Sequence, residues 1–231
     1  FLEKQVDGII WFAPSDMEKV QEVSTVRKTP VVIITAQPGH LNQNAVYVND
    51  ARGAFEAVTH LVRLGHRRIG YIAEPDRANV SQERLRGYRW ALKENGILVD
   101  SDLIVRGNFQ EGSASQAIDH MCSLESRPTA IFAANDLMAI EAMNRIRSLG
   151  LRVPEDVAIV GFDDVKMSGL PGIDLTTVSQ PKKEMGREAA RLLIDSLTQE
   201  QSSIRQVILS PHLVVRKTCG YHLNLARQYA D

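Results

Sequence analysis

The sequence predicts an α/β fold built on mostly parallel sheets. Three observations carry this. Short apolar runs of strand length alternate with amphipathic helical segments from end to end. The runs are continuously apolar, as strands covered on both faces are. Each gives way to polar residues that open a loop or cap a helix. The clearest unit is Pro128–Asp164, PTAIFAANDLMAIEAMNRIRSLGLRVPEDVAIVGFDD. Thr129–Ala134 reads as a buried strand, Asn135 as the N-cap of the next helix, and Asp136 as an acid in its first turn. Met138, Ala142, Met143, Ile146 and Leu149 recur at helical spacing until Gly150. Val157–Phe162 is a second buried strand, closed by Asp163 and Asp164. A parallel β-α-β unit brings both strand ends to one edge of the sheet, where open α/β sheets bind small ligands.

The remaining elements follow the same logic. Gly8–Ala13 (GIIWFA) reads as a buried strand, and Pro14-Ser15-Asp16 opens a helix with Met17, Val20 and Val23 inward. Pro30–Thr35 is a strand, Ala36–Asn44 a loop, and Ala45–Val48 a short strand. Asn49 or Asp50 caps a helix burying Phe55, Val58, Leu61 and Val62, stopped by Gly65. Arg68–Ala73 is a strand and Glu74–Gln82 a polar loop. A helix with Leu85, Tyr88, Ala91 and Leu92 inward then runs to Gly96. Leu103–Arg106 is a strand, and Ser113–Leu124 an amphipathic helix. A loop spans Val165–Leu175, before the short segment Thr176–Ser179. Pro181 starts a helix at the position where its missing N–H is harmless, with Met185, Ala189, Leu192, Leu193 and Leu197 inward. Strands Gln206–Leu209 and Leu213–Arg216 close the fold, and 221–231 reads as a tail.

Composition narrows the function. The 231 residues hold 28 acidic and 27 basic side chains, a net charge of −1, so nothing draws the whole chain to nucleic acid or anionic membrane. Cys122 and Cys219 lack metal-ligand spacing and read as reduced thiols of a cytoplasmic protein. There is no run of roughly 20 apolar residues to span a bilayer. No glycine-rich phosphate loop, dinucleotide fingerprint, HExxH helix, CxxC pair or nucleophile elbow is present. His66 reads as a loop cap, and Asp163-Asp164 as ligand or cap partners rather than a catalytic pair. The expectation is a binding protein, not an enzyme, with no cofactor and no metal.

Taken in order and spacing, several segments resemble the effector-binding core of the lactose/galactose-repressor (LacI/GalR) family of transcription regulators. They are VDGII (Val6–Ile10), VNDARGAFEAVTHLVRLGHRRIGYI (Val48–Ile72), ERLRGYRWAL (Glu83–Leu92), the Pro128–Asp164 unit, LTTVSQPKKEMGREAARLL (Leu175–Leu193) and LVVRKTCG (Leu213–Gly220). The resemblance implies two similar Rossmann-like lobes joined by three crossovers, as in periplasmic sugar-binding proteins, with the effector in the cleft. It would put the crossovers near Val48–Asp50, Ser179–Gln180 and Ser210–Pro211. One lobe is then 1–49 with 180–209, and the other 50–179 with 210–220. Against the family pattern, a helix-turn-helix region and the first strand and helix of the first lobe are missing at the front. The expected consequence is a slot of unpaired backbone groups in that lobe, as in a truncated longer protein.

The resemblance also assigns a site. Arg84 matches the arginine that holds the effector, its planar fork suited to two hydroxyls or a carboxylate. Asn135 and Asp163 match the amide and acid on the same ligand, and Phe109 matches an aromatic that packs on its ring. Ser15, Asp16, Gln37 and Gln180 would face the cleft from the other side. Plainer roles stay open: Asn135 as helix cap, Asp163 as a structural acid, Arg84 paired with Glu83 or Glu74, Phe109 as core. Lys182 stands where some relatives place an apolar ring, which leaves room for an acidic or phosphorylated effector. The expected function is ligand sensing and homodimerisation, with a sugar-like effector modulating operator binding through the paired heads. DNA would be reached only through the missing region. The alternative from another class is a periplasmic solute-binding protein of a sugar importer.

Overall fold

The computed structural model describes residues 6–12, 20, 22, 24, 29–35, 43–75, 79–107, 112–198 and 203–223. The chain divides into two compact units: Phe1–Asn49, Arg77–Val80 and Pro181–Ser210 form the first, and the remainder forms the second.

The first unit holds strands β1 (Ile9–Phe12), β2 (Val31–Ile34) and β3 (Asn44–Val48), all parallel, with β9 (Gln206–Leu209) beside β3. Strand alternation sends Val32, Val46 and Val48 to one face, where they meet Met185, Ala189 and Leu192. These three lie on one helix, which spans Lys182–Thr198 and is labelled α5 below. Val31, Ile33, Ala45 and Tyr47 point to the other face and pack with Val20. Strand β1 differs from its reading as a buried strand. Among the described residues it stands at the end of the sheet with β2 as its neighbour, and Ile10 and Phe12 are 43% and 71% exposed. Their face is the one that α5 covers over β2 and β3.

The second unit is built on six strands in the order β10-β8-β7-β6-β4-β5. In chain order these are β4 (Ile69–Ala73), β5 (Ile104–Arg106), β6 (Ala130–Ala133), β7 (Ala158–Asp163), β8 (Thr176–Ser179) and β10 (His212–Val214). All pairs are parallel except β10 with β8. The order turns back at β4, which has β5 on one side and β6 on the other, and this reversal makes a topological switch point.

Four helices cover this sheet: α1 (Asp50–Arg63), α2 (Asn79–Glu94), α3 (Ser113–Ser123) and α4 (Asp136–Ser148). Alternation assigns their faces. Tyr71 stacks on Tyr88 of α2, and Phe162 abuts Gly53 of α1, whereas Gly70 abuts Met121 of α3 and Gly161 abuts Ala139 of α4. Helix α2 begins at Asn79, earlier than the loop read over Glu74–Gln82, and Val80 and Leu85 are buried along it. Leu103, read as the first residue of a strand, instead ends a 3-10 turn, Ser101–Leu103, capped by Asp100. The imidazole of His66 contacts Thr129 Oγ1 at 3.0 Å, tying the turn after α1 to the start of β6.

One close approach positions the site described below. A Cβ on Gly87 would lie 2.2 Å from the carbonyl oxygen of Ala51 and 2.7 Å from the Cβ of Ala54, so α2 crosses α1 nearly backbone to backbone. Because rigid backbone stands in the way, Gly87→Ala should destabilise this unit by about 2 kcal/mol or more. Urea unfolding followed by circular dichroism checks this; an unchanged midpoint would show that the helices separate freely.

Candidate functional site

Three adjacent parallel strands end in polar side chains that converge on one arginine. Glu74 follows β4, Asn135 follows β6, and Asp163 is the last residue of β7. Arg84 reaches them from the first half of α2, one turn before Tyr88, whose stacking on Tyr71 seats the helix against the sheet.

The guanidinium of Arg84 is almost wholly enclosed, 4% exposed. Its Nε donates to Asp50 Oδ1 at 2.8 Å and its Nη1 to the Ala134 carbonyl at 2.5 Å. Nη2 meets Asp163 Oδ1 at 3.4 Å, and Glu74 Oε1 lies 3.7 Å from Nη1. The cation rests on the ring of Phe162, with Cζ 3.8 Å from the centroid. Burial works against its charge, but Asp50, Asp163 and Glu74 outweigh that and hold its pKa above the ordinary arginine value.

The amides complete the network. Asn135 Oδ1 accepts the Met138 N–H at 2.9 Å, which makes it the N-cap of α4, while its Nδ2 donates to Glu74 Oε1 at 2.9 Å. Gln180 Nε2 donates to Asp163 Oδ1 at 2.6 Å. The side chain of Asp163 keeps 28% of its surface open, against 10% or less for Glu74, Asp50 and Arg84, so it is the carboxylate nearest to solvent.

The backbone at the end of β7 is strained. Asp163 and Asp164 both have positive φ, 111° and 51°. Aspartate tolerates this better than most residues, and the geometry persists because partners over-determine it. Asp163 is held by Gln180 and Arg84, and Asp164 Oδ1 accepts from Arg216 Nη2 at 2.7 Å. Below them the buried Asp136 accepts from Ser168 and Thr177 hydroxyls and the Val165 N–H, at 2.6, 2.5 and 2.9 Å. Burial raises its pKa, and these three donors oppose the rise.

Of the residues the sequence singled out, Arg84, Asn135, Asp163 and Gln180 belong to this one network. Phe109, Ser15, Asp16 and Gln37 lie outside the described residues. Arg84 is not a surface partner of Glu83, which pairs with Arg86 instead. Nor is its fork simply open to a ligand, since three of its N–H groups are already engaged. Two further residues join this network, neither among the site residues the sequence singles out. Glu74, which the sequence places at the start of a loop and offers as a partner of Arg84, follows a buried apolar strand just as Asn135 does and does lie beside the guanidinium, buried rather than on the surface. Asp50 was read as a helix cap, and nothing local in the sequence announces its bond to Arg84. Among the described residues, no group of three or more His, Cys, Asp or Glu side chains could hold a metal.

A family model for a periplasmic binding protein-like domain matches residues 58–219. The HTH-type transcriptional repressor PurR of Aliivibrio salmonicida is 32% identical over 218 residues, 94% of this chain and 65% of its own length. Among solved structures, a transcriptional regulator CelR–cellobiose complex superposes with a TM-score of 0.86 at 34% identity, covering 93% of this chain and 66% of that one. A regulatory protein of the LacI family from Chloroflexus aggregans gives 0.83 at 32% identity, covering 91% and 76%. The chain belongs to the periplasmic binding protein-like family and, within it, to the LacI family. It spans about two thirds of the length of its curated relative, 65% for the PurR protein. These relatives are named as regulators, not enzymes. Among the described residues no helix is long and apolar enough to cross a membrane.

Burial pushes the Asp50 carboxyl up to about 6; Arg84 opposes the rise, and Asp163 and Glu74 add to it. The folded state therefore holds this proton more tightly than the unfolded chain does. The stability this group contributes is full below about pH 4 and is lost as pH rises through about 6. Replacing Asp50 by Asn keeps an acceptor for Arg84 and removes the titration. Urea unfolding at a series of pH values should then show a decline between pH 4 and 6.5 that is shallower by about 3 kcal/mol. An identical decline in both proteins would remove Asp50 as its source.

Proposed function

We propose that this chain is the effector-sensing and dimerisation core of a LacI-type transcription regulator, and that a small sugar-like effector docks on the Arg84 cluster. The observation that carries this reading is the convergence of Glu74, Asn135 and Asp163, from three neighbouring strand ends at a switch point, onto one buried arginine. Amide N–H groups beside carboxylate oxygens suit hydroxyls, which donate and accept at once. A relative solved with cellobiose supports a sugar as the ligand class.

The cluster also offers a route for the signal. The chain enters the second unit at Asp50 and leaves it after Gln180, and both side chains are bonded into the cluster. An effector competing for Asp163 loosens or tightens the Gln180 bond, so occupancy is felt where the chain passes between units. A ligand with different affinities for two such arrangements shifts their populations, and operator affinity is linked reciprocally.

Pairing of two copies has its own support. Asp136 draws Ser168 and Val165 to the start of α4, and Leu137, Met167 and Leu170, from these two segments, are 63%, 42% and 50% exposed. Large apolar side chains left this exposed suit cover by a second copy of the chain. Leu137→Glu should shift sedimentation velocity profiles toward monomer at micromolar concentration; a dimer of undiminished strength would place the contact elsewhere.

Calorimetry against a panel of monosaccharides and disaccharides tests the site. Arg84→Ala strands buried carboxylates and risks the fold. Asp163→Asn and Asn135→Ala are therefore the cleaner variants, each expected to weaken binding by about tenfold or more, as loss of a charged or buried hydrogen bond does. Unchanged affinity in both would move the effector away from this cluster.

A further inference from the structure

The strand end that carries Asp163 is gripped from below by a carboxylate sealed from solvent. Resting on the effector-site reading above, we infer that Asp136 and Thr177 are positioning residues for effector binding. They fix the backbone that presents the Asp163 carboxylate, and they do so without touching the ligand.

Both residues are 0% exposed. Asp136 opens α4 directly after Asn135, and Thr177 lies on β8 opposite Gly161, two residues before Asp163. The Thr177 hydroxyl gives its one proton to Asp136 Oδ1 at 2.5 Å, and its oxygen accepts the Asp164 N–H at 3.4 Å. The other carboxylate oxygen, Oδ2, accepts the Val165 N–H at 2.9 Å and the Ser168 hydroxyl at 2.6 Å. The backbone amides of the two residues after Asp163 are thus both bound to this pair. Gly161 makes room for it, since a Cβ there would stand 2.4 Å from Asp136 Oδ1.

Those amides follow the strained point of the site. Asp163 and Asp164 have φ of 111° and 51°, which side-chain-bearing residues keep only where their surroundings impose it. The bonds from the Asp163 carboxylate to Arg84 and Gln180 help, but an effector competes for that same carboxylate. The grip on Asp164 and Val165 lies beneath and persists when those bonds are exchanged. Once it is released, the strand end relaxes toward extended backbone, and the carboxylate leaves the edge it shares with Asn135. Binding must then rebuild the turn first, and that cost is read as lost affinity.

Thr177→Val removes the hydroxyl, and Thr177→Ser retains it. Each variant of the intact chain has its fold checked by circular dichroism and urea unfolding. Calorimetry with glucose, ribose and cellobiose then measures binding, and NMR without sugar reads the Asp163 and Asp164 Cα shifts, which report backbone angles. Thr177→Val should move those shifts and weaken the sugar bound by the unsubstituted protein by about tenfold or more. Thr177→Ser should restore the native shifts and an affinity within about threefold of the original. Asp136→Asn serves where Thr177→Val does not fold. Whichever way its amide sits, one oxygen of the set becomes a donor, so affinity should fall similarly. Unchanged affinity in a folded Thr177→Val or Asp136→Asn protein overturns the inference and leaves the effector site standing. A Thr177→Ser protein as weak as Thr177→Val overturns it too, because the hydroxyl bond would then not be the cause. If none of the sugars binds the unsubstituted protein, the sugar-effector reading fails. The shifts still decide the positioning role, which falls if they stay unmoved in folded Thr177→Val.

Discussion

A buried arginine organises this molecule's working edge. Arg84 is enclosed, yet it stays charged because Asp50, Asp163 and Glu74 surround it and Phe162 floors it. Taking those charges out of water is costly, and mutual attraction repays the cost only with good geometry. The geometry comes from elements that have little to do with charge. Gly87 lets α2 sink onto α1, Tyr88 stacks on Tyr71, and three parallel strands stop at one level. A break in any of these leaves buried carboxylates without their counter-ion.

The same arrangement is what favours the proposed ligand-sensing role over one in stability alone. An apolar core of similar volume would hold the unit together at least as well. What the ionic cluster adds is a set of donors and acceptors in which the longest of Arg84's hydrogen bonds, at 3.4 Å, goes to Asp163, the carboxylate nearest to solvent. Strained φ angles at Asp163 and Asp164 mark the same point. Strain, partial exposure and a long hydrogen bond at one residue describe a place where an incoming polar group can be accommodated without rebuilding the fold. The bonds from Asp50 and Gln180 tie that place to the segments joining the two units.

Much of this was legible in the sequence because buried parallel strands are written as apolar runs that stop abruptly. That rule found β6 and β7 and hence Asn135 and Asp163. The same rule applies to Glu74 at the end of RIGYIA, which the sequence names only as a possible partner of Arg84, because a polar residue before Pro75 also reads as ordinary loop. Asp50 was out of reach for a different reason. Its partner is 34 positions away on another helix, and no local pattern encodes that contact. The family resemblance supplied Arg84, and the sequence left open its pairing with Glu74; the bonds to Asp50 and Asp163 and the burial of the whole group depend on how deeply α2 sinks. Strand β1 was misread because an apolar run reports a preference for burial, not whether a neighbour exists to provide it.

The central claim is that an effector is held by the strand-end cluster around Arg84. A crystal structure of the chain with a neutral sugar that binds it in solution tests this most directly. Sugar hydroxyls are expected within about 3 Å of the Asp163 carboxylate and the Asn135 amide, with Arg84 still on Asp50. A sugar lodged elsewhere, with the Asp163–Gln180 bond and the Glu74–Asn135 bond unaltered, would contradict it.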